Sequence, residues 1–362
     1  MGVLPSPRMK IRRLSLRRFT SFEDLELDFS SGVNAFIGEN GAGKSHLLKL
    51  LYSLSEAVRR RRREDGTIEL PSRRASLPDQ LSEMLLSVYQ PEKLGRLVRR
   101  RHGSGKAEIH CEWDNGAAIS VEITKQHNLR AHHTGDFDAN FAELERSIFL
   151  PTREVLSIFP GFAAAWARRE SAFDRTYYDL CVALDAGPLR GPRDQVRAAL
   201  LEPLEQALGA KVLVENGRFY LRYPEGKMEA PLVAEGHRKL AMLAYLVMNG
   251  ALTNNGFLFW DEPEASMNPL LARLASQTVF GLSKLGVQVF LATHDYAVSS
   301  ELSLSAEQGR QAITFFGLQR DEHGVTAEHA ETLAGIDSNP ILDSLLDLHE
   351  REQAVLAPEA PA

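Results

Sequence analysis

A glycine-rich segment, Phe36 to Leu51, constrains the fold of this chain more than any other stretch. It reads F-I-G-E-N-G-A-G-K-S-H-L-L-K-L-L and contains the pattern G-x-x-x-x-G-K-[ST], which runs from Gly38 to Ser45. The apolar run Val33 to Ile37 precedes the glycines, and apolar residues at helical spacing follow them. When a strand, a glycine turn and a helix follow one another in this way, the backbone N–H groups of the turn and the helix N-terminus point at phosphate oxygens. The segment therefore predicts a site for a nucleoside triphosphate.

The residue types of this loop also indicate how each would act. Lys44 would reach the β- and γ-phosphates, and the hydroxyl of Ser45 would bind Mg²⁺, so ATP and Mg²⁺ are the expected cofactors. The alternative is a glycine turn with an incidental lysine, and a chance match in a chain this long is on the order of one percent. The residues expected to contact the nucleotide through this loop are Gly38, Glu39, Asn40, Gly41, Ala42, Gly43, Lys44, Ser45 and His46.

Composition indicates the class of protein and the cellular compartment in which such a site would work. Hydrophobic residues make up 44% of the 362 residues and charged residues 25%, which is typical of a soluble globular protein. We find neither an apolar run of membrane length nor a signal peptide, so no membrane partner is expected. Cys111 and Cys181 are isolated and lack metal-ligand spacing. Together these features predict a reduced, cytoplasmic protein.

Charge is distributed unevenly along the chain. Residues 1–150 carry a net charge of +4 and the remainder −10. The basic excess lies in residues 55–106, where 13 Lys and Arg stand against 7 Asp and Glu and Arg59 to Arg63 form one run. This mostly helical insertion predicts contact with the phosphate backbone of DNA or RNA. The alternative, a solvated charged helix, stays open, and few aromatic residues are present to stack on bases.

Alternating and periodic patterns predict the elements around the loop. Alternation over Lys10 to Phe29, Lys106 to Ile123 and Lys211 to Tyr223 predicts antiparallel strand pairs. Residues 127–138 are polar and predict a turn, whereas residues 341–348 predict a helix.

Three further apolar runs end in polar residues. Phe257 to Trp260 leads into D-E-P-E, Gly286 to Ala292 leads into T-H-D, and Ser147 to Leu150 leads into P-T-R-E. Because the ends of strands in open α/β sheets face the ligand crevice, Arg153 and Glu154 are candidates for the edge of an active site. A helix start with an acid in its first turn explains the same two residues equally well.

Four pieces in a fixed order carry a family resemblance. The glycine loop, a turn with the sequence A-E-G-H-R before a helix, the strand into Asp261 and Glu262, and the strand into His294 together resemble the ABC-type ATPase superfamily. Within it, the chain is similar to the standalone OLD-, RecF- and SMC-like ATPases labelled AAA. The implied fold class is α/β, with a P-loop ABC-like core, a mixed sheet flanked by helices, an antiparallel β-subdomain and helical insertions.

The resemblance also implies site roles. Asp261 would orient the Mg²⁺ shell together with Ser45, and Glu262 would be the base that positions the attacking water. His294 would be the switch histidine near the γ-phosphate, and with Glu262 and Lys44 it would form the catalytic set. In the same way, Arg17, Arg18 or Phe19 could contact the base or the α-phosphate, although an ordinary solvated turn explains each equally well.

The signature region departs from the family pattern. Transporter ABC domains have L-S-G-G-Q where this chain has A-E-G-H-R, and Gly236 is the best match. Glu235, Gly236 and Arg238 are nevertheless expected to meet the γ-phosphate of a partner subunit. The chain has neither a sustained coiled-coil heptad pattern nor room for a Toprim nuclease domain, so the effector is expected on another chain.

These patterns divide the chain as follows. We expect an N-terminal β-edge and P-loop in residues 1–54, the basic helical insertion in 55–106, a β-hairpin and return to the core in 107–160, a helical insertion and hairpin in 161–230, the signature, Walker B and switch-histidine lobe in 231–350, and a flexible tail in 351–362.

The function implied by the resemblance is an ATPase that dimerises around ATP. A homodimer or higher homo-oligomer would drive or gate a separately encoded effector, a nuclease or a toxin, in bacterial anti-phage defence. One alternative is a RecF-like repair ATPase that binds DNA through residues 55–106. Another is a nucleotide-sensing scaffold with little hydrolysis, against which the presence of Glu262 argues.

Overall fold

The computed structural model describes most of the chain as an α/β structure. The described residues are 9–59, 61–62, 68–69, 76–100, 105–135, 146–189, 195–252, 256–309, 311–337 and 339–356. The strands are β1 Ile11–Phe19, β2 Phe22–Asp28, β3 Val33–Ile37, β4 Arg61–Arg62, β5 Ile68–Glu69, β6 Lys106–Trp113, β7 Ala118–Thr124, β8 Leu129–Thr134, β9 Ile148–Leu150, β10 Lys211–Glu215, β11 Arg218–Tyr223, β12 Gly226–Glu229, β13 Phe257–Asp261, β14 Gln288–Thr293, β15 Ile313–Arg320 and β16 Val325–Ala330. The helices are α1 Lys44–Val58, α2 Leu77–Tyr89, α3 Phe162–Ala167, α4 Arg175–Asp185, α5 Gln195–Leu208, α6 Glu235–Met248, α7 Pro269–Lys284, α8 Tyr296–Gly309 and α9 Pro340–Leu356.

A six-stranded sheet in the order β16-β15-β3-β14-β13-β9 forms the centre of the molecule. The five strands from β15 to β9 run parallel, and β16 pairs antiparallel to β15 at the edge. Strands β3, β13 and β14 are buried along their whole length, which explains why they are nearly continuous apolar runs. Since these strands are parallel, their carboxyl ends meet at one edge, where the polar residues of the sequence motifs follow them.

The two faces of this sheet pack into different cores. Phe149, Phe259 and Phe290 stack in a row on the face that α1 covers. Trp260 and the other alternate residues point into the second core, which the later helices α4 to α8 close. The helix that follows the glycine loop is therefore held between the central sheet and a second sheet.

The second sheet is antiparallel and has five strands in the order β2-β1-β6-β7-β8. It confirms the predicted strand pairs β1–β2 and β6–β7. Strand β8 contradicts the turn predicted for residues 127–138: Leu129 to Thr134 pair with β7, with Ala131 opposite Val121. The polar sequence is compatible with a strand because backbone hydrogen bonds hold this edge, while only Leu129 and Ala131 are partly buried.

Other helix bounds differ from the sequence-based expectation in two places. In the insertion that the sequence predicted to be mostly helical, α2 ends at Tyr89 with Gln90 (φ 50°) as its cap, directly before Pro91, and a short 3-10 turn covers Leu94–Leu97. Helix α9 runs from Pro340 to Leu356, well beyond the predicted end at residue 348. The predicted pair β10–β11 is confirmed and continues into β12. Among the helices that the structure describes, none combines the length and apolarity needed to cross a bilayer.

Candidate functional site

The glycine loop joins β3 to α1 and has the geometry of a phosphate cradle. Gly38, Gly41 and Gly43 all have positive φ, at 146°, 86° and 90°. A side chain at Gly43 would be strained and would also come within 2.6 Å of the Phe22 ring, so glycine is required there on both grounds. No described side chain caps the N-terminus of α1, which begins at Lys44. The free N–H groups of its first turn can therefore bind an anion.

Lys44 is folded back over this loop. Its Nζ donates hydrogen bonds to the carbonyl oxygens of Gly38 at 2.7 Å and Glu39 at 2.8 Å. Burial lowers the pKa of Lys44, while the carboxylates of Glu262, Glu264 and Asp261 act in the opposite direction. The ammonium group is thus held at the loop, where it can exchange carbonyl partners for phosphate oxygens.

Ser45 and Asp261 meet across the end of the sheet. The Ser45 hydroxyl donates a hydrogen bond of 2.9 Å to Asp261 Oδ1, and Asp261 is buried. Burial raises the pKa of Asp261 to about 6, while the hydrogen bond from Ser45 opposes the rise. A buried carboxylate beside a hydroxyl is a suitable oxygen donor set for Mg²⁺, which takes one or two protein ligands and completes its shell with phosphates and water. The residues therefore fit the expected cation.

Glu262 follows the last residue of β13 with a strained backbone. Its φ is 50°, in the left-handed region that non-glycine residues seldom adopt, and its N–H donates to the carbonyl oxygen of Ala292 on β14 at 2.9 Å. The side chain is half-buried. The turn directs the carboxylate towards His294, whose Nδ1 lies 3.5 Å from Glu262 Oε1.

His294 follows β14 and has a second carboxylate partner that the sequence motifs did not indicate. Glu264 Oε1 lies 3.1 Å from His294 Nδ1 and accepts a hydrogen bond of 2.9 Å from the His294 backbone N–H. The signal was present as the last acid of D-E-P-E, two residues beyond Glu262. Lys44, Ser45, Asp261, Glu262 and His294 thus lie at the carboxyl ends of three adjacent strands.

The signature turn packs within its own subunit. Gly236 is the second residue of α6 and is buried, and a Cβ at this position would overlap the carbonyl oxygen of Ser266. The glycine therefore packs against the loop after β13 within the same subunit instead of facing outwards. Glu235, the first residue of α6, is half-buried.

Arg238 is also engaged inside the subunit. Its Nε lies 2.6 Å from Glu154 Oε1, and its guanidinium also donates to the carbonyl oxygen of Val233. Glu154 is buried and accepts further hydrogen bonds from Ser157. Arg238 is therefore no free surface cation for a partner's phosphate, because the buried carboxylate already holds it. Arg153, next to Glu154, is exposed. Burial raises the pKa of Tyr177, and contacts with Arg153 oppose part of that rise.

The remaining loop candidates are placed as follows. Asn40 and Gly41 are exposed on the outer part of the loop, and Ala42 is buried beneath it. The His46 ring lies 5.5 Å from that of Tyr89 on α2. Arg320, at the end of β15, was not predicted: its Nη1 donates to the Gly41 carbonyl oxygen at 3.4 Å.

The β1–β2 turn lies beside the loop and excludes one of the expected base contacts. Phe19 is fully buried in the core and cannot reach a nucleotide. Arg17 lies 3.8 Å from Glu108, and Arg18 lies 3.5 Å from Glu23, so both are on the surface with acidic partners.

Part of the basic insertion falls outside the described residues. The side chains of residues 60–75 and all of residues 101–104 lie outside the described part of the chain. For these positions the expected nucleic-acid surface stays a prediction from the sequence. Of the described members, Arg59 pairs with Glu56 and Arg96 with Glu92, each at 3.1 Å. Arg99 pairs with Glu23 at 3.1 Å and donates to backbone carbonyls.

Comparison with family models agrees with this geometry. A model described as "AAA ATPase domain" matches residues 9–142. A second, described as "AAA domain, putative AbiEii toxin, Type IV TA system", matches residues 104–300, which is more than half of the chain.

Curated relatives extend the comparison. The "DNA replication and repair protein RecF" of Lactococcus lactis subsp. cremoris (strain SK11) is 24% identical over 160 residues, which cover 44% of this chain and 37% of that protein. The RecF of Streptococcus suis (strain 05ZYH33) is 30% identical over 121 residues, covering 33% of this chain and 29% of that protein. The alignments thus span well under half the length of these two relatives.

Solved structures resemble the chain over nearly its whole length. An SMC head bound to the C-winged helix domain of ScpA has a TM-score of 0.57 at 13% identity, covering 91% of this chain and 99% of that one. An SMC head with an extended coiled coil, bound to the C-terminal domain of ScpA derived from Pyrococcus furiosus, has a TM-score of 0.54 at 11% identity, covering 95% and 100%. At this identity the similarity shows the fold alone.

Fold and motifs together define a member of the ABC-type ATPase superfamily, as the sequence resemblance predicted. Within that class, the chain belongs to the family described as "AAA domain, putative AbiEii toxin, Type IV TA system".

Proposed function

We propose that this chain binds ATP with Mg²⁺ at the glycine loop and hydrolyses it. The observation that carries the proposal is the hydrogen bond of 2.9 Å from Ser45 to Asp261 at the edge of the sheet, beside a Lys44 that is held over the glycine loop by two loop carbonyls. Glu262 and His294 lie beside them, on the loops after the two neighbouring strands. Catalysis at such a site is mostly positioning and charge stabilisation.

Each residue has a role that follows from its chemistry. The loop N–H groups and the α1 N-terminus bind phosphate oxygens, and Lys44 neutralises their charge. Ser45 and Asp261 would hold Mg²⁺, which would offset the negative charge of the phosphates. Glu262 accepts a hydrogen bond from the attacking water and orients it. His294 lies beside Glu262, with Nδ1 3.5 Å from Glu262 Oε1.

We further propose that two copies enclose ATP between the loop of one and the α6 N-terminus of the other. No described side chain caps that N-terminus, so its N–H groups are available to an anion. Leu232 and Leu270, which flank the signature turn and the loop after β13 in sequence, are 72% and 69% exposed. Exposed apolar side chains of this kind favour a surface that another molecule covers.

Light scattering tests the two-copy arrangement. Glu262→Gln should bind ATP without hydrolysing it and so accumulate as a dimer with ATP and Mg²⁺, but remain smaller without nucleotide. Lys44→Ala is the matched control and should not change mass with ATP. A mass of Glu262→Gln that is the same with and without ATP would reject the sandwich, while leaving nucleotide binding intact.

The proposed output is the gating of a separately encoded effector in anti-phage defence. The family description, which names a toxin and a toxin–antitoxin system, supports this choice. Affinity purification of tagged Glu262→Gln and Lys44→Ala from host cells, followed by mass spectrometry, tests it. A protein retained by the first variant and lost from the second would be the effector. Identical partner sets would contradict nucleotide-controlled gating.

The second candidate is a DNA-binding repair ATPase, and similarity to RecF proteins favours it. DNA would then contact the basic insertion, and reversing Arg59 to Arg63 to glutamate should flatten the salt dependence of binding by roughly one log–log unit per lost phosphate contact. A wild-type chain that binds no DNA or RNA at low salt would exclude this candidate. The third reading, a scaffold that senses nucleotide, predicts binding without turnover.

A further inference from the structure

Glu264 is a buried carboxylate whose position the ATPase chemistry above leaves unexplained. Its side chain is 10% exposed and lies three residues beyond Asp261, in the loop that follows β13. Oε2 is buried without a hydrogen-bond partner among the described residues. Burying a carboxylate in this way costs free energy, and burial raises the pKa of Glu264 accordingly. Such a cost is expected to be balanced by a specific interaction.

The specific interaction is with His294, through two contacts to one oxygen. Glu264 Oε1 accepts the His294 backbone N–H at 2.9 Å and lies 3.1 Å from Nδ1 of the same residue. The backbone bond fixes the carboxylate relative to the main chain, and the ring contact then fixes the imidazole relative to the carboxylate. His294, the first residue after β14, is thus held at both its backbone and its side chain.

This geometry selects one form of the ring. Oε1 of Glu264 lies 3.1 Å from Nδ1, and a carboxylate oxygen this close to an unprotonated ring nitrogen would place two lone pairs against each other, so the contact favours a proton on Nδ1. The second carboxylate, Glu262, lies farther from Nδ1, at 3.5 Å, and is more exposed than Glu264. Glu264 is therefore the closer and better fixed partner, and the ring nitrogen left for other partners is Nε2.

We infer that Glu264 is a positioning residue: it holds His294 with Nδ1–H donated to Oε1, so that Nε2 is presented to the nucleotide. That Nε2 faces a nucleotide rests on the proposed function, whereas the orientation of the His294 ring by Glu264 does not. Partners that orient a metal-bound histidine through its second ring nitrogen typically change activity by about 10- to 100-fold when removed, and we expect an effect of the same order here.

Kinetics of two variants test the role. Glu264→Ala removes both contacts and should lower kcat by about 10- to 100-fold, with the KM for ATP changed by less than about twofold. Glu264→Gln keeps an oxygen that can accept both N–H groups and should retain kcat within several-fold of wild type. Glu322→Ala is the matched control, because Glu322 is 86% exposed. A Glu264→Gln variant as slow as Glu264→Ala would overturn the positioning role.

A double variant separates positioning from a general loss of structure. If Glu264 acts through His294, adding Glu264→Ala to His294→Ala should cause no further loss of kcat. A further tenfold loss in the double variant would show that Glu264 acts independently and would contradict the inference.

A spectroscopic readout does not depend on turnover. In ¹⁵N-histidine-labelled, nucleotide-free protein, the signal of His294, assigned by its loss in His294→Gln, should show Nδ1 protonated. In Glu264→Ala that preference should disappear, whereas in Glu322→Ala it should remain. Wild-type His294 protonated on Nε2 with a bare Nδ1 would overturn the inference. Failure of ATP hydrolysis in wild type would reject the proposed function and leave this result standing.

Discussion

Glu154 and Arg238 form a buried ion pair, with Arg238 Nε 2.6 Å from Glu154 Oε1, that joins the segment after β9 to the first turn of α6. The two residues are 84 positions apart in the sequence. Their side chains are 3% and 16% exposed, so neither charge is well solvated. The pair ties the end of the central sheet to the helix that carries the signature turn.

Because the ion pair is buried, replacing one of its residues should lower the free energy of unfolding more than replacing both. Arg238→Ala leaves Glu154 charged and buried and should reduce the free energy of unfolding by about 3 to 5 kcal/mol. The double variant Glu154→Leu/Arg238→Leu should be much closer to wild type. Urea unfolding of the nucleotide-free proteins measures both. A loss below about 1 kcal/mol in Arg238→Ala would mean that water or another residue replaces the pair.

Gly236 should tolerate no side chain, although it lies in a helix. Alanine has the higher helix propensity by about 1 kcal/mol, but its Cβ would overlap the Ser266 carbonyl oxygen and displace the loop after β13. We expect Gly236→Ala to lower the midpoint of thermal unfolding and to reduce turnover with little change in ATP affinity. Gly187→Ala, at an exposed glycine with open space around it, is the control. Gly236→Ala as stable as that control would contradict the packing.

The buried carboxylate of Asp261 should lower the free energy of unfolding of the nucleotide-free protein, by an amount that depends on pH. Burial raises its pKa from 3.8 to about 6, so the folded state binds the proton more tightly than the unfolded chain does. The penalty is absent below the unfolded pKa, grows as the pH rises to about 6, and is then constant. It amounts to roughly 3 kcal/mol at pH 7.

Asp261→Asn removes this penalty while keeping an oxygen for the Ser45 hydroxyl. In chelator, the variant should be more stable than wild type, and the difference should grow by about 1 kcal/mol between pH 5 and pH 7.5. Denaturant unfolding at the two pH values measures it. A difference that shrinks with rising pH would contradict the assigned direction.

The sequence predicted the centre of this site because its signals are local. Buried parallel strands are continuous apolar runs, so β3, β13 and β14 and the polar residues that follow them could be located. The parallel order then brings Ser45 and Asp261 together without further information.

What the sequence did not predict depends on contacts between distant residues. The partner of Arg238 is Glu154, and the surroundings of Gly236 include Ser266, neither of which local spacing indicates. Strand β8 was missed because an edge strand held by its backbone need not show apolar alternation. Glu264 appeared as one more acid after β13, since its role depends on where the backbone of His294 comes to lie.

Hydrolysis of ATP at this site is tested by the rate of phosphate release at saturating ATP and Mg²⁺, compared between wild type and Glu262→Gln. Gln keeps the size of the side chain and most of its hydrogen bonding but cannot accept a proton. We expect steady release by wild type and a fall of at least about 10²-fold in the variant, with ATP still bound. No release by wild type, or a variant within a few-fold of it, would contradict hydrolysis by this site.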